Sequence, residues 1–258
     1  MNNQPYVRSE TRKGVTTIEF HHPRGNSLPA SLLEQLTQRI HSAGNDEDSA
    51  VIVLRSYGNS AFCAGASFDE LVAIQNQQEG LEFFSGFAHL INAMRKIPKL
   101  IIARVHNKCI GGGVGIAAAA DYAIATDNVE IRLSELALGI GPFVVGPVVE
   151  RKIGAAAFAH LAIDANMGRN AEWCKRKGLF AETHPSAEDM DESIARLAQS
   201  LSHANPEAVA EMKKILWKGT ENWDQLLIER AAISGRLILS RHSREAIEKF
   251  KLSRTQAK

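Results

Sequence analysis

The sequence predicts an α/β fold with a largely parallel central sheet, followed by a C-terminal helical segment. Three observations predict it. Short apolar runs recur in the first half of the chain, at Ala50 to Leu54, Leu100 to Val105 and Tyr122 to Ala125, as in strands buried on both faces. Stretches with helical apolar spacing alternate with these runs, and such alternation favours parallel strands joined by crossover helices. After about Gly154 the apolar spacing reads as helix after helix.

The elements follow in order. The first stretch reads as strands: Val15 to Phe20 is β-rich, and Lys13-Gly14 supplies a turn before it. His22 to Asn26, with Pro23 and Gly25, is a loop. Pro29 then opens an amphipathic helix with Leu32, Leu33, Leu36 and Ile40 on one face. A loop with Gly58, Asn59 and Gly65 follows the strand Ala50 to Leu54. Leu81 to Met94 is helical, with Phe83, Phe84, Phe87, Leu90, Ile91 and Met94 on a broad apolar face, and Pro98 punctuates its end. Gly111-Gly112-Gly113 opens an Ala-rich helix after the strand Leu100 to Val105. Asp191 to His203, Pro206 to Trp217, Trp223 to Leu239 and Ser243 to Phe250 are helical by periodicity, and Asn205-Pro206 supplies an N-cap and a first-turn proline. The expected division is an α/β core over residues 1–195 and a helical segment over 196–258. Amphipathic helices need a surface on which to bury their faces, and a neighbouring subunit is expected to supply it.

Composition narrows the function. The chain has 258 residues, enough for one large core. Lys+Arg is 30 and Asp+Glu 29, a net charge of +1, which leaves no electrostatic footprint for nucleic acid. No apolar run approaches the roughly 18 residues of a membrane span. Met1 to Glu10 is polar, with no secretory h-region. Cys63, Cys109 and Cys174 form no CxxC pair, so neither a structural zinc nor a disulfide framework is expected, and a reducing cytoplasm fits.

Three places could carry chemistry. Gly111-Gly112-Gly113 lies between a buried strand and a helix. Its glycines either let a ligand approach free N–H groups at a helix N-terminus or make a tight turn with close Ala packing. It is neither GxGxxG after a first strand nor a P-loop. Ala61 to Ala66 is a small-residue loop after a buried strand, open to the same two readings. Glu135 is a carboxylate in an apolar stretch. In a dry pocket its pKa would rise and suit acid/base work; otherwise it is a solvated or helix-capping side chain. His21, His22 and His106 show no metal-ligand spacing. Cys63 and Cys109 read as small buried fillers, and Trp173, Trp217 and Trp223 as packing residues.

Taken in order, these segments resemble the enoyl-CoA hydratase/isomerase (crotonase) superfamily along nearly the whole chain. Gly25-Asn26-Ser27-Leu28 resembles the family's N-A-L element and Ala61 to Ala66 its A-F-x-A-G-A-D loop. Val105 to Gly113 resembles V-N-G-x-A-x-G-G-G, Glu135 to Gly139 resembles P-E-x-x-L-G, and Ala171 to Phe180 resembles A-x-E-A-x-x-x-G-L-V. The resemblance implies a crotonase-like ββα spiral core with a C-terminal helical trimerisation segment, assembled as a homotrimer or hexamer. It implies an acyl-CoA substrate, whose CoA is part of the thioester and not a separate cofactor, and no metal. It also implies an oxyanion hole from the N–H groups of Ala66 and Gly112, CoA contacts from the backbone around Ser27, Ala64 and Ala66, and Glu135 as acid/base.

The chain departs from the family pattern in places. Ser67 replaces an Asp, and His106-Asn107 replaces Asn-Gly, where Asn tolerates a left-handed backbone. Gly115 stands where hydratases carry their first glutamate, so Glu135 remains as a single carboxylate, with Glu70 a possible substitute from elsewhere. One carboxylate suffices to shuttle a proton along an allyl system, and Leu138 to Phe143 looks more like the isomerases. The resemblance therefore implies isomerase- or hydratase-type proton transfer. The alternative is a non-catalytic acyl-CoA-binding or interaction protein on the same scaffold. An RNA-binding member is disfavoured by the balanced charge, and a Clp-type protease by the lack of a recognisable Ser-His-Asp set. Phe83, Phe84, Phe87 and Phe143 are expected as apolar pocket walls.

Overall fold

The structure is a computed structural model that describes residues 4–256, with side chains described as far as Lys251. The first three residues of the polar stretch Met1 to Glu10, and residues 257–258 of the helical segment, lie outside the described residues.

The chain opens with β1 (Tyr6–Arg12) and β2 (Val15–His21), an antiparallel hairpin. Lys13 and Gly14 close it at φ 50° and 79°, the left-handed pair that two-residue hairpins need. Then come α1 (Ala30–Asn45), β3 (Val51–Ser56), β4 (Ala61–Cys63), α2 (Phe68–Ala73) and α3 (Gln77–Lys96). The next turn is β5 (Leu100–Val105), β6 (Lys108–Ile110) and α4 (Gly112–Ala119). β7 (Tyr122–Thr126), β8 (Glu130–Arg132), α5 (Gly146–Ile153) and α6 (Ala155–Ile163) follow. The remainder is β9 (Arg169–Asn170), α7 (Ala171–Arg176), β10 (Glu182–His184), α8 (Ala187–Ser202), α9 (Pro206–Leu216), α10 (Trp223–Leu237) and α11 (Arg241–Gln256).

Two sheets organise these elements. The larger runs β1-β2-β3-β5-β7-β10, parallel from β2 onward, and the smaller runs β4-β6-β8-β9. From β3 to α5, each turn of chain gives one strand to the large sheet, the next to the small sheet, and then a helix. That is the expected ββα spiral. The apolar strands are buried on both faces, as their runs predicted. Ile52, Leu54, Ile101 and Ala103 face the main core with α1, α3 and α4, whereas Val51, Val53, Ile102 and Ile124 face Met190, Ile194 and Ala198 of α8.

The stretch after Gly154 is less uniform than its sequence implies. β9 and β10 interrupt it, and β10 pairs with β7 to complete the large sheet. Glu182-Thr183-His184 is too short and too polar to show a two-residue period. The helix expected from Asp191 starts four residues earlier, where the Ser186 hydroxyl accepts from Asp189 N–H at 3.0 Å. Trp223, Leu227 and Ala231 of α10 are buried in the main core. A Cβ at Gly80 of α3 would lie 2.6 Å from Gly235 Cα of α10, so the two helices meet backbone to backbone. α10 thus buries its apolar face on the chain's own α3. α9, by contrast, leaves Met212, Ile215 and Leu216 exposed.

Candidate active site

Three loops converge at one end of the small sheet. The first runs from β4 to α2. Leu28 N–H donates to Gly65 O at 2.8 Å, and Ser67 N–H donates to Leu28 O at 3.1 Å. This bridge uses the groups on either side of Ala66 and leaves its own N–H with no acceptor among the described residues. Ala64 N–H donates to Gly25 O at 3.0 Å, which ties the loop to the segment around Ser27. Asn26 holds that segment at φ 54°, its side-chain amide donating to Tyr57 O and Ala61 O. Ser67 caps α2, accepting from Glu70 N–H.

The second loop is Gly111, at φ 54° and ψ −120°, between β6 and α4. Gly111 N–H donates to Arg132 O at 2.8 Å. Gly112 is the first residue of α4, so its N–H has no intrahelical partner, and none among the described residues. A Cβ at Gly65 would sit 3.2 Å from Ile110 O and 3.8 Å from Gly112 N. The two loops approach closely only because Gly65 is a glycine, here at φ 91°. A Cβ at Gly112 would fall 2.2 Å from the Phe87 ring. Asn107 adopts φ 56°, the left-handed turn expected when Asn replaces Gly.

The third loop carries Glu135. Its carbonyl accepts from Leu138 and Ile140 N–H at 3.0 and 3.1 Å, and Gly139 at φ 77° closes the turn. Ser243 of α11 donates to Gly139 O at 2.9 Å and fixes the turn from outside. The residue as a whole is half-buried, but its Oε2 is fully buried with no hydrogen-bond partner among the described residues. Its Oε1 lies 3.1 Å from where a Cβ of Gly111 would be. Burial pushes the carboxyl pKa up to about 7, opposed only by its own backbone N–H.

A cavity of about 730 Å³ joins these loops and brings together Ala64, Ala66, Gly112 and Glu135. Phe84, Phe87 and Phe143 form apolar walls as expected; Phe83 instead packs edge-on against Phe84, 5.0 Å between ring centres. Ser27 is not part of the lining: it is buried behind the first loop, with Oγ 3.1 Å from His22 Nδ1. Gly115 faces α5, where an added Cβ would lie 2.4 Å from Val145 Cγ1. Val145 lines the cavity and fills the space that a glutamate at 115 would need. Glu70 supplies no substitute, since its Oε2 accepts from Ala30 N–H at the start of α1, outside the cavity.

The chain matches the enoyl-CoA hydratase/isomerase family profile over residues 10–255. The chain belongs to the enoyl-CoA hydratase/isomerase family of enzymes. A probable enoyl-CoA hydratase of Bacillus subtilis is 24% identical over 92% of both chains. Carnitinyl-CoA dehydratase of Escherichia coli K12 is 28% identical over 80% of this chain and 78% of its own. An ethylmalonyl-CoA decarboxylase of Gallus gallus is 25% identical over 83% and 72%. In structure, an enoyl-CoA hydratase from Bacillus halodurans superposes with a TM-score of 0.88 at 22% identity, covering 95% of this chain and 99% of that one.

Sequence reasoning missed several lining residues of this enoyl-CoA hydratase/isomerase family member. Arg132, His242, Lys249 and Phe250 all line the cavity. α11 reaches it from the end of the chain, with Phe250 5.2 Å from the Phe68 ring, a contact with no local sequence signal. The remaining candidates stand away from the cavity. His106 is buried beside Arg104, and burial together with Arg104 pushes its pKa down to about 4. The three cysteines are free and buried, and burial pushes the Cys63 thiol up to about 12. Among the described residues no cluster of three His, Cys, Asp or Glu could hold a metal ion. Among them, too, no helix is long and apolar enough to cross a membrane.

Proposed function

We propose that this enzyme moves a proton on an enoyl-CoA thioester, with Glu135 as its single acid/base and the N–H groups of Ala66 and Gly112 as the oxyanion hole. The observation that carries this is the Glu135 carboxyl, whose buried Oε2 has no partner among the described residues, packed on Gly111 and lining one cavity with two N–H groups that lack acceptors. In a 3-enoyl thioester the Glu135 carboxylate takes a proton from C2. The electron pair moves into the carbonyl, and the resulting dienolate oxygen is held by the two N–H groups. The Glu135 acid then returns the proton to C4, the double bond shifts to C2–C3, and the enolate electrons re-form the thioester carbonyl. Nothing is lost or gained overall. Donors fixed by the fold need no reorganisation as the charge develops. A carboxyl with a pKa near neutrality is matched to taking and returning a proton.

Val145 at the space beside Gly115 favours isomerisation over hydration, because water attack in the two-carboxylate scheme lacks its second carboxylate. CoA enters as part of the thioester and contacts the backbone around Ala64 and Ala66, with Ser27 supporting that loop from behind. The exposed Ile163, Met167, Met212, Ile215 and Leu216 fit burial in a homotrimer or hexamer; light scattering at micromolar concentration tests it, and a monomer rejects it. Three free buried thiols fit a cytoplasmic setting. The test of function is a spectrophotometric assay on 2-enoyl- and 3-enoyl-CoA of short and medium length. Interconversion of the two is expected, faster than hydration. Binding of acyl-CoA without turnover of either would instead make the protein a binding module.

A further inference from the structure

Arg132 is one of the charged residues of the cavity that the proton transfer does not use. Arg132 ends β8, three residues before Glu135, and lines the cavity. Its carbonyl is fixed by Gly111 N–H. Its side chain is only half-buried as a whole, yet its Nε is buried and has no hydrogen-bond partner among the described residues. No carboxylate oxygen among those residues lies within 4.0 Å of its guanidinium. Of the acids that line the cavity, Glu245 is already bound to Arg241 at 2.7 Å. Ser134 and Asn166 also line the cavity and add a hydroxyl and an amide.

A guanidinium with a buried, unsatisfied donor is costly unless something supplies the missing acceptor. Its fork matches a carboxylate, which it can hold through two parallel charge-assisted hydrogen bonds. We propose that Arg132 binds a carboxylate on the acyl part of the substrate, so that the preferred ligands are CoA thioesters of dicarboxylic acids. This rests on the acyl-CoA reading of the site. Arg132 is tied through its backbone to Gly111, the neighbour of the N–H that holds the thioester oxygen. The phosphates of CoA lie a pantetheine arm away from that oxygen, so the arginine is placed for the acyl group and not for a phosphate.

The test is calorimetric titration of the full chain with pairs of equal carbon count: succinyl-CoA against butyryl-CoA, and glutaryl-CoA against valeryl-CoA, with free CoA as a third arm. The wild-type protein is expected to bind the carboxylated member about tenfold or more tightly. Arg132→Met should bring the ratio close to one, and Arg132→Lys should keep part of it. Equal affinity within both pairs for the wild-type protein overturns the proposal without any variant. An equal loss for both thioesters and free CoA in Arg132→Met also overturns it, because that places the arginine on a CoA phosphate. Binding of thioesters without preference leaves the reading of the site standing, whereas failure of every thioester to bind brings down both.

Discussion

Two buried carboxylates in this protein live under opposite rules. Asp121, between α4 and β7, is fully provided for. Its oxygens accept from Lys213 Nζ, from Trp217 Nε1 at 2.8 Å and from Ile101 N–H at 2.8 Å. Lys152 adds bonds to the carbonyls of Ala120 and Asp121. The cluster fastens α5 and α9 to the starts of the interior strands β5 and β7. Glu135 is also buried, yet its Oε2 meets no donor among the described residues, and burial raises its pKa to about 7. Two glycine-built loops beside it likewise hold N–H groups without acceptors. A folding chain gains from satisfying buried polar groups, so several left unsatisfied in one cavity are the feature on which the proposed substrate site rests.

Glu135→Gln should break the contrast most. It keeps the volume and removes the titrating proton, so isomerisation and any hydration are expected to fall by roughly two to four orders of magnitude. Steady-state kinetics on both enoyl isomers check this, and full turnover would move the acid/base elsewhere. Asp121→Ala should do the reverse. It leaves the Lys213 ammonium, whose side chain is 3% exposed, without its carboxylate. The expected loss is about 3–5 kcal/mol of stability by urea titration, with turnover per folded molecule kept. A loss of turnover in the folded fraction would show that the two regions are coupled.

A third change tests the proposed oxyanion hole. Gly112→Pro removes one N–H, and proline is tolerated at the first position of a helix. Any Cβ there meets the Phe87 ring, however, so the substitution must be made in a Phe87→Ala background. Relative to that parent, kcat is expected to fall by about a hundredfold or more, with circular dichroism confirming the helix. A folded double variant with the parent's turnover would place the hole elsewhere.

How far the sequence could be read follows the same division. The central strands β3, β5 and β7 of the large sheet were legible, because a run such as Leu100 to Val105 is buried on both faces and leaves a local signal. Glu135 stood out as a carboxylate in an apolar stretch and the two small-residue loops as places of close backbone approach, whereas only the family resemblance singled out the N–H groups of Ala66 and Gly112. β10 was not legible, since three half-buried polar residues carry no period. Neither was the obstruction at Gly115: only the position of α5 reveals that Val145 already fills the space. Arg132 was overlooked for a related reason. Whether an arginine at a strand end is solvated, paired or orphaned depends on what the rest of the chain brings to it.

The pH dependence of stability is the most direct test of why the two carboxylates differ, because it reads Glu135 through folding and not through catalysis. Its pKa is about 7 in the folded protein, against 4.5 for an ordinary glutamate. Between those values the folded state binds more protons than the unfolded state. Stability should therefore fall as pH rises from about 4.5 to about 7, and the full penalty, about 3 kcal/mol at most, should remain above that. Glu135→Gln carries no such penalty. The variant should match the wild-type protein near pH 4.5 and exceed it in urea midpoint at pH 8. Over the same window the wild-type kcat/KM should rise, because proton abstraction from C2 requires the carboxylate. Activity and stability would then titrate on one group in opposite directions. A variant no more stable than the wild-type protein at pH 8 would mean that Glu135 is satisfied after all, and that its resemblance to Asp121 is closer than the geometry indicates.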